Sequence, residues 1–578
     1  MKQHIIAAID FGTHGSGYGW TTVEDRHRDP KKRAVHFRTR WQGLSTTYPK
    51  NLTALLIDRK GELVAWGYEA RSKWVTKVAR GEAEGFEYHN GFKMSLAAAK
   101  SDGTEEIEGG RLTPERSRHL VTLYLREVYS AAVAEIELSG FSHEEIRWCL
   151  TVPAIWNDYQ KQLMREAAVA AGLPDDEQRL QLVIEPEAAA YHARVSGVRT
   201  VRASGGRNNL MNKGSRFLVA DCGGGTIDIT AYRTDDRNRL EEIGRECGGK
   251  YGSEYVNQAF LERVLAKRLG SFEALDRVRA EAPAALLQVL GDWEKEKAHV
   301  ETASTDDIYL QLPAAIDRLL TKEEYVSLGD QQGGITDHIV VTADEARDIF
   351  ESVLPDVLAL VDKQLAEMKA QRRGAAGKEL IILVGGFGSS TYLQERMQEH
   401  VADRAVVLVP PEPHVAVLLG AVHYTYDPQT KARRARYTYG CQTAMEFRPG
   451  IDPEEKKLVV PDGRVRCNDR YSVFVSAGQS VPVDDEVARS FSPLYENQKS
   501  LVFDLYTSPE KSPRYVTDSG CTKVGTVEVD LSEVMDLPLA RRSVTLSMMF
   551  GEVQIRVVAR VKATGRTTAA HVRFSAAG

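Results

Sequence analysis

The sequence predicts an α/β fold of two lobes, followed by a mainly β C-terminal region. Two loops carry most of this prediction, residues 10–15 (DFGTHG) and 221–226 (DCGGGT). Each follows a short apolar run and precedes renewed apolar alternation, which favours a β-hairpin with an Asp at its mouth. Past about residue 430 short alternating runs are separated by Pro, Gly and Asp, a pattern typical of antiparallel strands.

The two loops also have the composition of a phosphate site. Glycines let backbone N–H groups approach a phosphate closely. An Asp beside such a turn can hold Mg²⁺, usually through water. Because the loops are far apart in the chain and both carry Asp and Thr, they predict two lobes that close on one nucleotide. Either loop alone is equally compatible with an ordinary Gly turn after a strand.

A third Gly loop follows the apolar run 379–384 (ELIILV), which predicts a buried strand. Residues 385–390 (GGFGSS) come next, and Ser390 is a candidate N-cap for a helix over residues 391–401. A strand, a Gly turn and a helix start together form an anion- or nucleotide-facing arrangement. The alternative is a tight turn that needs Gly only for packing.

Pro, Gly and helix-capping residues predict where the remaining helices and strands begin and end. A helix is expected to begin after Thr113 and Pro114, and another is expected between Asn157 and Gly172, where Asn and Gly act as caps. Pro355 is expected to break or kink a helical segment. The other expected elements are a hairpin over 54–66, a strand over 146–152, helices within 254–300 and 344–370, a polar surface insertion over 194–216, and a C-terminal hairpin over 553–574.

Three of these motifs resemble those of the actin/hexokinase/heat-shock-70 ATPase superfamily. The segments that resemble its phosphate-1, phosphate-2 and adenosine motifs are residues 8–13 (AIDFGT), 219–228 (VADCGGGTID) and 383–386 (LVGG). Residues 150–158 (LTVPAIWND) and 184–190 (IEPEAAA) narrow the resemblance to the 70-kilodalton heat-shock chaperones.

The motifs of this chain are more similar still to those of a divergent group called heat-shock protein family A member 12-like. The segments that resemble this group include residues 92–94 (FKM), 164–168 (MREAA) and 248–253 (GGKYGS). The resemblance follows the same order over nearly the whole chain. It implies an actin-like (ribonuclease H-like) two-lobed ATPase domain over residues 1–430, with lobe I at about 1–193 and lobe II at about 215–430. Residues 431–578 are then expected to form a sandwich-like β domain without a helical lid, which binds substrates or partners.

The resemblance also implies roles for single residues. Asp10 and Asp221 flank Mg²⁺ and its waters, and Lys93 reaches the γ-phosphate. Glu185 senses the phosphate and helps place the attacking water. Asp228 orients water or binds a monovalent ion. The expected nucleotide contacts are Gly12, Thr13, His14, Gly223, Gly224, Gly225 and Thr226 around the phosphates, and Glu294, Lys297, Gly385, Gly386 and Gly388 on the adenosine side.

The sequence departs from the family pattern at four places. His14 replaces the usual second Thr of the first loop, Ala298 replaces a stacking arginine, and His414 replaces a ribose-side Asp. Residues 431–436 (KARRAR) are basic, whereas typical members have an acidic, leucine-rich linker there. The resemblance therefore does not by itself imply that the bound nucleotide controls the β domain of this chain, as it does in typical members.

Composition restricts the function classes. With 75 Lys and Arg against 81 Asp and Glu, the net charge is −6, which argues against a general binder of nucleic acids or anionic membranes. The 14 His and 6 Cys show no zinc-ligand spacing, and the scattered cysteines suit a reducing compartment. No apolar run is long enough to span a bilayer. The first predicted strand begins almost at the first residue of the sequence, so we expect no signal peptide. We therefore expect a cytoplasmic protein.

Several functions fit these features. The first is a chaperone-like protein that binds ATP, hydrolyses it slowly with Mg²⁺, and binds protein or peptide clients through its β domain. The second is a nucleotide-gated scaffold with little or no turnover. A sugar kinase is disfavoured because the segment 184–190 and the C-terminal β region belong to the chaperone branch, and a filament-forming protein because such chains lack the β region.

Overall fold

The computed structural model describes residues 3–24, 33–97, 105–107, 110–176, 178–201, 213–371, 378–428, 430–461, 463–483, 485–550 and 555–571. The N-terminal elements are β1 (Ile5–Asp10), β2 (Gly15–Thr22), β3 (His36–Phe37), β4 (Asn51–Leu52), β5 (Ala54–Asp58), β6 (Leu63–Trp66), α1 (Gly67–Ala79), β7 (Phe86–Asn90), α2 (Lys93–Ala97), β8 (Glu105–Ile107), β9 (Gly110–Leu112), α3 (Pro114–Leu138), β10 (Ile146–Val152), α4 (Asp158–Ala171), β11 (Leu180–Ile184), α5 (Glu185–Ser196) and β12 (Arg199–Thr200).

Lobe I is built on a mixed sheet with the strand order β11-β10-β1-β2-β3, and β4 pairs with β2. β1 runs parallel to β10 and antiparallel to β2, so the first predicted hairpin is confirmed. The Thr113 side chain caps α3, and Asn157 and Gly172 bound α4 as predicted. One apolar face of α3 is fully buried, at Leu120, Tyr124, Val128, Ala132 and Ile136.

The second lobe contains β13 (Arg216–Cys222), β14 (Ile227–Thr234), β15 (Leu240–Glu242), β16 (Cys247–Gly249), α6 (Ser253–Phe260), α7 (Ala266–Arg268), α8 (Phe272–Glu281), α9 (Pro283–Lys297), β17 (Ile308–Gln311), α10 (Ala314–Asp317), α11 (Lys322–Gln331), β18 (His338–Val341), α12 (Ala343–Glu351), α13 (Leu354–Ala370), β19 (Glu379–Val384), α14 (Thr391–Val401), β20 (Ala405–Val409) and α15 (Ala416–Tyr426). Pro355 lies in the first turn of α13, where its missing N–H is tolerated, so it marks the predicted break between α12 and α13. Ser390 caps α14 as predicted.

The C-terminal strands are β21 (Thr430–Arg434), β22 (Thr438–Glu446), β23 (Lys457–Val459), β24 (Val465–Val475), β25 (Ser480–Pro482), β26 (Glu486–Phe491), β27 (Ser500–Ser508), β28 (Thr522–Asp530), β29 (Val544–Met549), β30 (Arg556–Val561) and β31 (Thr567–His571). Two antiparallel sheets, β23-β24-β22-β27-β28 and β26-β29-β30-β31, contribute side chains to one hydrophobic core. β30 and β31 form the predicted last hairpin, although residues 551–554 and 572–578 lie outside the described residues.

Helices α5 and α15 lie between the sheets of the two lobes. Their apolar side chains share one core with Ile6 and Ala8 of lobe I and with Phe217 and Val219 of lobe II. At Gly420 in α15 any side chain would collide with the backbone carbonyl of α5, so this glycine sets how closely the two helices approach. The last helix of the predicted lobe II range therefore packs on lobe I as well.

The sheet of the second lobe continues past the predicted boundary at residue 430. Its order is β12-β20-β19-β13-β14-β15-β21-β25, with β16 beside β14. β21, which contains most of the basic segment predicted as a linker, runs parallel to β15. The insertion predicted over 194–216 begins as the end of α5 and as β12, and residues 202–212 lie outside the described residues.

Candidate nucleotide site between the lobes

The two Asp–Gly loops meet across the cleft between the lobes. A Cβ atom at Gly224 would lie 2.9 Å from the Cβ of His14, and one at Gly225 would lie 2.9 Å from the Thr13 hydroxyl oxygen. Real Cβ atoms do not approach so closely, so glycine at both positions allows the loops to face each other. Thr226, the last residue of the second loop, is buried.

Two loop amides that we predicted as phosphate donors are engaged within their own loops. The amide of Gly12 donates to the Ser16 hydroxyl at 3.1 Å, and that of Gly223 donates to the Thr226 carbonyl at 2.9 Å. These bonds hold the hairpin turns in shape, because a buried amide needs a partner. Gly12 and Gly223 thus have a role in loop geometry, and their direct contact with a phosphate stays a prediction.

The third Gly loop closes the same end of the cleft. Gly385 adopts a left-handed backbone with φ of 86°, and a Cβ there would lie 2.5 Å from Asp221 Oδ1. Around Gly386 no heavy atom of the described residues lies within 4 Å of an added Cβ, so this glycine faces open space. Gly388, in contrast, is buried, and a Cβ there would make ordinary van der Waals contact with Leu383.

The five predicted catalytic side chains are all buried at the base of the cleft. Lys93 at the start of α2 pairs with Glu185 at the start of α5, with 2.6 Å between Nζ and Oε1. Asp228 in β14 accepts a hydrogen bond from the Ile155 amide at 2.9 Å, which joins the two lobes. Asp10 and Asp221 stand at the ends of β1 and β13.

Asp10 has two further partners that we did not predict. Its Oδ1 accepts a hydrogen bond from the Thr151 hydroxyl at 2.8 Å, and its Oδ2 lies 2.7 Å from Nζ of Lys50. Thr151 lies within residues 150–158, which resemble the heat-shock-70 chaperones. A polar residue near the end of an apolar strand was the signal that could have indicated a site residue there. Lys50 lies in a short segment without periodicity, and no local pattern points to it.

The inner cleft carries an uncompensated negative charge. Among the described residues it contains four buried carboxylates, Asp10, Glu185, Asp221 and Asp228, and two lysines, Lys50 and Lys93. Formal charges therefore sum to −2. Burial, with the neighbouring carboxylates Asp228 and Asp10, raises the pKa of Glu185 to about 7 despite Lys93. Burial and the same mutual repulsion raise the pKa of Asp221 well above its usual range.

This donor set fits one Mg²⁺ ion. Mg²⁺ prefers carboxylate and water oxygens, and a single divalent ion balances the formal charge of the inner cleft. Asp10 Oδ2 is buried and, within the described residues, accepts no hydrogen bond of good geometry, although the ammonium of Lys50 is near. Asp10 and Asp221 are the carboxylates that the two hairpins bring to the mouths of their loops.

The outer cleft is closed by a second charged group. The ring of His14 lies between two carboxylates of lobe II, 2.7 Å from Glu254 in α6 and 3.6 Å from Glu294 in α9. The charge of Glu294 and the hydrogen bond with Glu254 raise the pKa of His14 to about 9, although burial opposes them. Nζ of Lys297 donates to the Asn257 side chain at 2.6 Å, so Glu294 and Lys297 belong to the cleft.

Two aromatic rings and an arginine also connect the lobes near this group. Tyr48 and His414 stack with their ring centroids 5.5 Å apart. Burial, together with the charge of Lys50, lowers the pKa of His414 to about 4, so this ring is neutral at pH 7. Arg71 of α1 donates to the carbonyl of Leu287 in α9. A cavity of about 190 Å³ remains beside His14, Arg71 and Glu294.

Comparison with known proteins shows which family the chain resembles. The chain is 29% identical to human "Heat shock 70 kDa protein 12B", over 99% of the chain and 91% of that protein, and 26% identical to human "Heat shock 70 kDa protein 12A" over the same shares. Over nearly its whole length the chain is therefore similar to the member-12 proteins of the heat-shock-70 family. A "Chaperone protein DnaK" from Elusimicrobium minutum is 23% identical over 44% of the chain and 35% of that protein. A family described as "Domain of unknown function (DUF8340)" matches residues 211–410.

This similarity supports a two-lobed, actin-like ATPase fold and a nucleotide-binding protein. The predicted resemblance to the heat-shock-70 family is thereby confirmed. Within the part of the chain that the structure describes, no helix combines the length and the apolar character that crossing a bilayer requires.

The basic segment, residues 431–436, is held by carboxylates of both lobes. Arg433 pairs with the buried Glu187 of α5 at 2.8 Å, and Arg436 pairs with Glu246 at 3.2 Å. Between them, the amide of Arg434 donates to Glu242. Burial and the nearby Glu246 raise the pKa of Glu242 to about 8. The segment predicted as a departure from the family linker is thus a docked strand with specific partners.

Proposed function

We propose that the cleft binds ATP with Mg²⁺ and hydrolyses it slowly to ADP and phosphate, and that the region 431–578 binds protein or peptide segments. The observation that carries the first part is the inner cleft, in which four buried carboxylates face two lysines beneath three Gly loops. A buried cluster with a formal charge of −2 is unfavourable by itself and is suited to a divalent cation.

Each side chain then has a distinct task. When bound, Mg²⁺ neutralises charge on the phosphate oxygens. Asp10 and Asp221 would hold the ion, and Thr13 and Thr226 of the two facing loops would contact the β- and γ-phosphates. Lys93 is placed to reach the γ-phosphate because its pair with Glu185 fixes its direction.

Glu185 and Asp228, the two carboxylates that are not needed to hold the metal, would position the attacking water. Glu185 has a pKa of about 7, so near neutral pH it can both donate and accept a hydrogen bond. This property suits a group that places a water molecule in line with the γ-phosphate. Asp228 is fixed by the Ile155 amide and orients the same water or a monovalent ion.

The adenosine side is formed by Gly385 and Gly386 with Glu294 and Lys297 of α9. The open space around Gly386 provides room for the base. Glu294 also faces His14, so nucleotide entry must compete with a contact between the lobes.

The partner-binding proposal rests on the similarity to the heat-shock-70 family and on the β region. Its two sheets share a core, and β21 and β25 connect it to the ATPase sheet. A cytoplasmic location is part of the same proposal, and the six cysteines, all within the described residues, are free thiols.

A second candidate is a nucleotide-gated binding protein with little turnover. The contacts that favour it are those that close the cleft, the His14–Glu254 pair and the Tyr48–His414 stack, because each must yield before a nucleotide exchanges. Slow exchange of a tightly held nucleotide would make the protein a switch rather than a useful ATPase.

Single-turnover hydrolysis of ATP with Mg²⁺ separates these candidates. We expect slow but measurable turnover in the wild type and none in Asp10→Asn or Asp221→Asn, with circular dichroism showing that both variants are folded. Asp403→Asn is the matched control, because Asp403 is fully exposed and distant from the cleft, and should hydrolyse ATP like the wild type. Tight ATP binding without turnover would favour the gated binding protein. Near-wild-type hydrolysis in both cleft variants would refute the site.

A further inference from the structure

Lys50 is a buried cation of the inner cleft to which the family resemblance gives no role. Its Nζ lies 2.7 Å from Oδ2 of Asp10, and the two side chains are 14% and 4% exposed. Lys50 precedes β4, so it reaches the base of the cleft from lobe I but from outside the three Gly loops. It is a second lysine in the site, separate from the pair between Lys93 and Glu185.

The stem of this side chain packs against the first hairpin. A Cβ at Gly15 would lie 3.4 Å from Cβ of Lys50, and a Cβ at Gly17 would lie 3.5 Å from its Cγ, which are ordinary van der Waals distances. A Cβ at Gly17 would lie only 2.9 Å from the carbonyl oxygen of Pro49. Glycine at position 17 thus allows the segment that carries Lys50 to approach β2 closely.

Lys50 and a metal ion require the same oxygen atom. Asp10 Oδ1 already accepts a hydrogen bond from Thr151 at 2.8 Å, which leaves Oδ2 as the oxygen that faces a cation. Mg²⁺ binds carboxylate oxygens at about 2.0–2.1 Å. An ammonium and a divalent ion at one oxygen would repel each other strongly in a buried site.

We propose that Lys50 is a displaceable counter-ion of Asp10, which competes with the divalent cation and transfers to the phosphates when Mg²⁺·ATP enters. This inference rests on the proposed function. A lysine ammonium on a flexible four-carbon stem can change partners in this way, because it has three donors and no fixed geometry. The consequence is that the protein binds divalent cations weakly on their own, and metal and nucleotide together.

The test measures metal and nucleotide binding separately in Lys50→Met, which keeps the length of the side chain but removes its charge. Calorimetric titration with Mn²⁺ alone should give at least tenfold tighter binding in the variant than in the wild type. Titration with ATP in EDTA should give at least tenfold weaker binding. A purely structural role for Lys50 would weaken both, so the opposite directions are the signature. Lys60→Met, in the exposed turn after β5, is the control and should match the wild type.

Lys50→Gln carries the same expectation and replaces the methionine variant if that variant does not fold. If the wild type binds Mg²⁺·ATP but Mn²⁺ affinity in the folded variant is unchanged or weaker, this inference is refuted and the proposed function stands. If the wild type binds neither Mn²⁺ nor Mg²⁺·ATP, the proposed function and this inference fail together.

Discussion

Two groups of buried charged side chains lie next to α5, and they differ in how their carboxylates are paired with basic residues. In the inner cleft four carboxylates share two lysines, and Glu185 and Asp221 have raised pKa values because each is buried among like charges. At the junction around β21, Arg433 and Arg436 pair with Glu187 and Glu246, while Glu242 beside them accepts a hydrogen bond from the Arg434 amide and has a pKa raised to about 8. The comparison therefore concerns the two arginine–carboxylate pairs. Glu185 and Glu187 are two residues apart in the same helix.

This difference distinguishes a structural group from one that requires a ligand. Buried charges that are paired one to one hold two segments in place and need nothing from solution. Buried charges that remain unbalanced oppose folding unless a counter-ion arrives, and such arrangements concentrate at functional sites. The first turn of α5 therefore serves two purposes, with Glu185 facing the cleft and Glu187 facing the docked strand.

The largest effect is expected at the junction. Arg433→Met would leave Glu187 buried without its charge partner, so we expect the free energy of unfolding to fall by about 3–5 kcal/mol. Chemical denaturation measures this change. Arg566→Met is the matched control, because Arg566 and Glu533 form an exposed pair whose loss should cost about 0–1 kcal/mol. A cost at Arg433 no larger than that of the control would show that the junction is not a balanced structural pair.

A smaller effect with a defined pH dependence is expected at Glu185. Its pKa is about 7 in the folded protein and 4.5 for the ordinary group, so its ionisation penalises folding progressively as pH rises from 4.5 through 7. In EDTA, the stability of Glu185→Gln relative to the wild type should therefore rise between pH 5 and 8, by on the order of 2 kcal/mol. Denaturation at four pH values measures this slope. A flat difference would mean that the carboxyl of Glu185 ionises normally.

The comparison also predicts that removing the charge of Asp221 changes the free energy of unfolding in the opposite direction to removing a charge at the junction. Because burial and neighbouring carboxylates make its charge unfavourable, Asp221→Asn should stabilise the metal-free protein by about 1 kcal/mol at pH 7. Thermal unfolding in EDTA tests this expectation, and the same variant should lose binding of Mg²⁺·ATP. Glu187→Gln at the junction is the contrasting variant and should destabilise. Destabilisation by both variants would remove the distinction between the two groups.

The smallest effect is expected at the half-exposed His14. Its pKa is raised from 6.5 to about 9, so its stabilising contribution is complete below pH 6.5 and is lost as pH rises through 9. The stability difference between the wild type and His14→Gln should shrink over this window. Glu254→Gln should show the same loss, since it removes the partner of the same pair. A difference that persists at pH 10 would show that charge does not hold this contact.

Local sequence pattern was sufficient for the loops and for the core of the site. The three Gly loops, Asp10, Asp221 and the capped helices α4 and α14 were predictable because strand–turn–strand and cap signals are local. The roles of Lys93, Glu185 and Asp228 came from the family resemblance, and the structure places all three side chains in the inner cleft.

Long-range pairing could not be predicted from the sequence. Lys50 meets Asp10 from a segment without periodicity, and β21 docks on β15 through a strand partner that is almost 200 residues away. The basic residues 431–436 were recognised only as a departure from the acidic family linker, because nothing nearby in the sequence shows the carboxylates that pair with them. Gly388 was assigned to the nucleotide by its motif alone, and this assignment stays a prediction.

The most direct test of the central claim is a calorimetric titration of the wild-type protein with ATP, in excess Mg²⁺ and again in EDTA. The unbalanced charge of the inner cleft predicts one ATP per chain and at least tenfold tighter binding with Mg²⁺ than with EDTA. Equal affinity under the two conditions, or no binding in either, would contradict the assignment of the cleft as a magnesium-dependent nucleotide site.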